Sequence, residues 1–223
     1  SRATLDPQAC ARIETPIQLF QAGRDVWVRN EPEELFVRRV REGDKIIMAT
    51  TAGKAIMFEE EQVRATGRDT SGVRGITMKD GAEVLGMEIT NGRGDLFVIT
   101  ERGFGKRTPV ADYPCQNRGG QGVYTIQMTA RKGNLAAMKT VGPQHELMIV
   151  SEEGVVIRVK SGDVSRLGRS TQGVKVMNMV DGDHVSAVAR MVARKKKAPK
   201  HDESQGMLDL AAAGAKDAWP AAH

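Results

Sequence analysis

A frame of about fifty residues recurs three times in this chain and limits what it can fold into more than any other feature. The copies begin at Lys45, Asp95 and Glu146. Gly53, Gly103 and Gly154 fall in register at spacings of 50 and 51, and so do Arg68, Arg118 and Arg169. Gly72, Gly122 and Gly173 follow suit, each with a valine behind it (Val73, Val123, Val174). Repeats of this period mark arrays in which each unit buries its apolar surface against the next. A partial copy precedes them: "GRDVWVRNEPEELFVRRV" from Gly23 follows the pattern of "GVRGITMKDGAEVLGMEI" from Gly72, with only its back half recognisable.

Each copy reads as short apolar, β-branched runs separated by turn residues. In the first copy strands are expected at 45–50, 54–58, 73–78 and 83–89. "TAGK", "ERGF" and "EEGV" sit where a tight hairpin turn belongs, and "KDGA" and "DGDH" mark the last hairpin. No helical period of any length competes. The expected fold is all-β, a propeller-like array of four-stranded blades, about three full and one partial. The boundaries read as a partial blade over 1–44, blades at 45–94, 95–145 and 146–193, and a disordered basic and polar tail over 194–223.

Charge is unevenly spread. The whole chain carries +5, but the middle copy (91–141) alone is +5, against −1 for 45–90 and 0 for 142–193. Two cysteines and four scattered histidines give neither a disulfide framework nor a metal motif, so no cofactor is expected. With no apolar run of spanning length and no leader pattern, a cytoplasmic protein is expected. The basic excess suits a polyanion. Aromatic residues make up 4% of the chain, too few for a surface of stacked bases.

The middle copy also holds "QNRGGQG", Gln116 to Gly122. Glycines let backbone N–H groups approach an oxyanion, and an arginine beside them adds a two-pronged contact. Gly72, Gly122 and Gly173, common to all copies, suit a tight crossover between strands. Gln116, Arg118, Gly119, Gly120 and Gly122 are expected to meet a phosphate oxygen, with Lys106 and Arg107 as basic neighbours in the same copy. Arg68, Arg74, Arg158, Arg169 and Lys175 of the flanking copies extend this expected track. Tyr113 and Tyr124 lie in no catalytic context and are expected to pack between strands.

"GFGKRTPVADYP", "GRDTSGVRGI" and "GRSTQGV" resemble the later blades of the C-terminal domain of the bacterial DNA gyrase A subunit, over roughly residues 23–192. The resemblance implies a β-pinwheel whose blades exchange strands and whose basic rim binds, bends and wraps duplex DNA without reading its sequence. It further implies partners, the rest of the gyrase A subunit with the gyrase B subunit, in an ATP-dependent topoisomerase whose catalytic site lies outside this chain. The family's first blade carries Q-(R/K)-R-G-G-(R/K)-G; "QNRGGQG" departs from it at Asn117 and Gln121, so it is similar to a degenerate copy of that box. The related A subunit of topoisomerase IV is the alternative. A protein-binding propeller of the chromosome-condensation-regulator type is a more distant one, and its glycine-rich signature is absent here.

Overall fold

The structure is a computed structural model, and it describes residues 18–22, 25–29, 35–64, 72–78 and 81–192. Arg68, Lys79 and the tail from residue 193 onward lie outside the described residues. Fifteen β-strands and three single-turn 3-10 segments make up the described secondary structure.

Each full repeat opens with a hairpin: β4 (Lys45–Thr50) with β5 (Lys54–Glu59), β8 (Asp95–Thr100) with β9 (Phe104–Pro109), and β12 (His145–Ser151) with β13 (Val156–Lys160). The last strand of the repeat then adds to the other side of the first: β7 (Val84–Thr90) on β4, β11 (Leu135–Val141) on β8, and β15 (Val185–Val192) on β12. The third expected strand exists but is only two residues long, and it leaves its own repeat. β6 (Val73–Arg74) joins the first sheet, β10 (Val123–Tyr124) pairs with β5, and β14 (Val174–Lys175) pairs with β9. The sheets therefore run β10-β5-β4-β7 and β11-β8-β9-β14, each finished by a piece of the following repeat.

The ends of the array differ from the sequence expectation. The partial unit forms a four-stranded sheet, in which β1 (Gln18–Ala22), β2 (Asp25–Arg29) and β3 (Leu35–Arg39) follow one another as a meander and β6 supplies the edge. The sheet with three strands is the last one, β13-β12-β15. Strand exchange is the reason: a sheet is completed from the repeat after it, and no described residue supplies that strand to β13.

The sheets are stacked, so the central ones are buried on both faces. Along β4, Ile46 and Met48 enter one core with Ile56, Phe58 and Met87, while Ile47 and Ala49 enter a second with Leu96, Val98 and Tyr113. Along β8 the alternate residues Phe97 and Ile99 pass into a third core with Leu147, Ile149 and Val188. Strands buried on both faces read as unbroken apolar runs, as "KIIMAT" and "DLFVIT" do. Among the described residues β12 has a neighbour on one face only, and its burial alternates from Leu147 to Ile149 to Ser151.

Candidate nucleic-acid interface

The glycine–arginine loop of the second repeat is spent on the preceding blade. Gln116 N–H donates to Met57 O at 2.8 Å. Arg118 N–H donates to Gln62 Oε1 at 2.7 Å, its Nε to Gln62 O at 2.8 Å, and its Nη1 to Arg74 O at 3.3 Å. Gly119 takes φ +79° and gives its N–H to Gly75 O at 2.7 Å. The carbonyls of Gly119 and Gly120 accept from the Thr77 hydroxyl at 2.6 Å and the Thr77 N–H at 2.9 Å. Gly122 (φ +69°) lies so close to β5 that a Cβ there would stand 2.5 Å from Ala55 O. The backbone of the first repeat packs against these half-buried glycines, and the frame is the joint that sends β10 into the neighbouring sheet. A two-residue strand brings few ladder bonds, so the loop before it supplies the rest.

The expectation for Lys106 and Arg107 is corrected. Neither is a free rim cation. Lys106 is 0% exposed, and its ammonium donates to Gly168 O at 2.6 Å, Arg169 O at 2.7 Å, Thr171 O at 3.2 Å and Thr171 Oγ1 at 3.0 Å. Burial pushes its pKa down to about 8, with Arg169 and Lys132 adding repulsion. Arg107 pairs with Asp95 (Nη1 to Oδ2, 2.9 Å) and donates from Nε to Val164 O at 2.8 Å and from Nη2 to Gly162 O at 3.2 Å. Asp95 also receives Arg166 Nε at 3.0 Å. Of the other predicted cations, Arg158 is exposed but engaged with Glu146 through Nε at 2.7 Å. Arg169 is half-buried with its guanidinium 5.9 Å from the centroid of the Tyr113 ring.

Arg74 and Lys175 behave differently. Both are exposed, and neither side chain has a hydrogen-bond or ionic partner among the described residues. Each is the second residue of an exchanged strand at the outer edge of a sheet. Tyr124 holds the same position on β10, 59% exposed, with Lys54 Nζ 5.3 Å from its ring centroid. Lys175 also borders an open basin of about 830 Å³ lined by Arg102, Arg131, Lys132 and Phe104, and by the acids Asp181 and Asp183. Lys132 is committed there, donating to Gln172 O at 2.7 Å and Oε1 at 3.0 Å, whereas Arg102 and Arg131 are exposed.

A family model described as "DNA gyrase C-terminal domain, beta-propeller" matches residues 44–91, 94–141 and 145–190. The chain belongs to the DNA gyrase C-terminal domain family. Its relatives include the DNA gyrase A subunit of Staphylococcus aureus strain MRSA252, 39% identical over 178 residues, and that of strain NCTC 8325 / PS 47, 39% identical over 176. Each alignment takes in 78% of this chain and 20% of the relative, so the chain spans about a fifth of those proteins. Among solved structures, a DNA gyrase A C-terminal domain superposes with TM-score 0.66 at 23% identity, covering 79% of this chain and 65% of that one. The C-terminal domain of a DNA topoisomerase IV gives 0.69 at 16% identity, covering 90% and 68%. Both are likenesses of fold, and they agree with the β-pinwheel that the exchanged strands define.

In this gyrase-family domain the two tyrosines part company. Tyr113 is buried, its hydroxyl in a short hydrogen bond with Thr125 Oγ1, and burial raises its pKa to about 12. Tyr124 does not pack between strands as expected, because β10 is an outer edge and the side chain of its second residue points away from the core. Lys54, Tyr124, Arg102 and Arg131 were not singled out from sequence as site residues. The Gly–Val–x frame carries a signal for Tyr124, and Lys54 is met only through the pairing of β10 with β5, where it stands opposite Tyr124. Arg102 and Arg131 meet only because β8 pairs with β11, where Arg102 N–H donates to Lys132 O at 3.3 Å.

Proposed function

We propose that this domain binds duplex DNA through its phosphates, without reading base sequence, and bends it along the rim as part of a gyrase-type topoisomerase. The observation that carries the reading is the recurring outer-edge position, Arg74, Tyr124 and Lys175 on three successive sheets, with Arg102 and Arg131 beside the last. Cations spaced along a row of blades suit a curved polyanion, and nothing at these positions is shaped to enter a groove and read base edges. Arg118 and Arg169 border the track and lend it partial charge. Bending a duplex by 40–90° costs on the order of 1–6 kcal/mol, which a handful of phosphate contacts offsets. The bent segment is then handed to a cleavage core elsewhere in the whole protein, built from the remainder of the A subunit with a B subunit beside it. The domain itself uses no cofactor, and its place is the bacterial cytoplasm, on the nucleoid. The kinship with gyrase A subunits favours gyrase over topoisomerase IV.

The test is a titration of two unrelated duplexes at several salt concentrations, with end-to-end fluorescence transfer reporting the bend. Similar affinity for both duplexes and a steep loss between about 50 and 200 mM salt are expected. Removing Arg74, Lys175 and Arg102 together should flatten the slope by about three units if each holds a phosphate. Equal affinity at both salt concentrations overturns the proposal.

A further inference from the structure

We propose that Lys106, itself out of reach of any ligand, is a positioning residue that sets how the third repeat presents Arg169 and Lys175 to a polyanion. The inference rests on the DNA-binding reading above.

Strand β9 grips the segment that follows β13 along its length. Arg107 holds Gly162 O and Val164 O, Thr108 Oγ1 donates to Leu167 O at 2.8 Å, and Arg107 N–H donates to Ser165 O at 2.9 Å. Phe104 and Gly105 then pair with Lys175 and Val174. Between these two anchored ends lies the turn 168–171, with Lys106 beneath it; Gly168 O also accepts from Thr171 Oγ1 at 2.9 Å and Thr171 O from Gln127 N–H at 3.0 Å, so Arg169 O is the carbonyl that rests on Lys106. The three carbonyls of Gly168, Arg169 and Thr171 converge on one ammonium. A lysine offers three N–H bonds from one atom, so one ammonium can tie these carbonyls together, and a buried carbonyl left without its donor is costly.

The corresponding joint one repeat earlier is built otherwise. Ile56 stands where Lys106 does, fully buried against the Gly120 position, and the carbonyls of Gly119 and Gly120 are served from outside by Thr77. Filling space beneath a turn is therefore enough for strand exchange. The ammonium adds a fixed orientation of the Arg169 peptide, whose side chain lies against Tyr113, and of the turn leading through Gly173 (φ +72°) to Lys175. No acid faces this ammonium among the described residues, for the neighbouring Asp95 is taken by Arg107 and Arg166. Its charge is answered by the turn alone.

Lys106→Met keeps the length and apolar stem and removes every donor. The variant should remain folded by circular dichroism and exchange the amides of 168–171 at least about tenfold faster, since the turn opens locally. Its log K against log salt should flatten by about one unit, although the lost cation touches no phosphate. Combined with Arg169→Ala, it should flatten the slope by less than the sum of the two single changes. A merely structural lysine would lower thermal stability with the slope unchanged and with additive losses, and that result overturns the proposal. Should Lys106→Met fail to fold, Thr171→Ala removes one of the four acceptors and leaves the ammonium in place. It must flatten the slope in the same direction, and an unchanged slope overturns the proposal equally. If the unaltered domain shows no salt-dependent binding of duplex DNA, the functional reading fails first, while faster exchange at 168–171 still reports the clasp.

Discussion

An ammonium taken out of water titrates differently from one left in it, and at Lys106 the sign is informative. The folded form holds its proton only to about pH 8, whereas the unfolded chain holds it to about 10.5. Between those values the unfolded state binds the extra proton, so stability from this site rises with pH through the window and is flat below it. Tyr113 acts in the opposite direction. Its folded pKa of about 12 lies above its unfolded value, so its contribution falls from about pH 10 upward. Urea midpoints at pH 7.5 and 9.5 therefore isolate the lysine: the unaltered domain should gain on Lys106→Met across that interval. A gap that stays constant or narrows contradicts the burial of this charge. The sequence could not announce any of this. "GKRT" reads as two cations after a turn, and only the pairing of β9 with the next repeat shows that both face inward. Arg74 and Lys175 share one place in the structure, since the residue after Gly–Val is the second of each exchanged strand.

At the scale of the element, the glycines ahead of the exchanged strands are the joints that sequence located correctly and explained only in part. Gly122 needs a positive φ and also close approach, with Ala55 O at 2.5 Å from any Cβ placed there. Gly43 has φ +81° with no atom within 4 Å of such a Cβ. Alanine at Gly43 should cost roughly 1–2 kcal/mol from the left-handed backbone alone. At Gly122 the clash adds to it, and a loss of about 2–5 kcal/mol is expected, measured by urea unfolding of both variants. Equal losses would show that β10 does not sit against β5. Strand positions were readable from apolar runs and turn glycines, to both ends of β4 and to within one residue for β5 and β7. The expected strand 73–78 shrank to Val73–Arg74 because Gly75 and Thr77 serve the next loop rather than a ladder. The same reading treats "VVIRVK" as equal to the buried hairpins, yet Val155 and Val156 are 44% and 54% exposed, since among the described residues no strand covers that edge. Pattern records what a strand can bury, and stacking decides what it does bury.

At the scale of the whole molecule, a charge sum over a repeat says little about its surface. The middle repeat owns the positive excess, but Lys106, Arg107 and Lys132 turn inward to carbonyls and to Asp95, while Arg74 and Lys175 on its borders face out. The array itself has a polarity that shows under force. Because β14 belongs to the sheet of the repeat before it, drawing the third repeat out also strips the outer strand from β9, but leaves β8, β9 and β11 joined. The reverse is not available, since the second repeat cannot be withdrawn without taking both β10 from β5 and the support beneath β14. Held between its two ends in optical tweezers, the domain should therefore lengthen in ordered steps from the third repeat backward. Each step should release about fifty residues, roughly 17 nm of extended chain. A series of joints of this kind opens in one order and closes in the reverse.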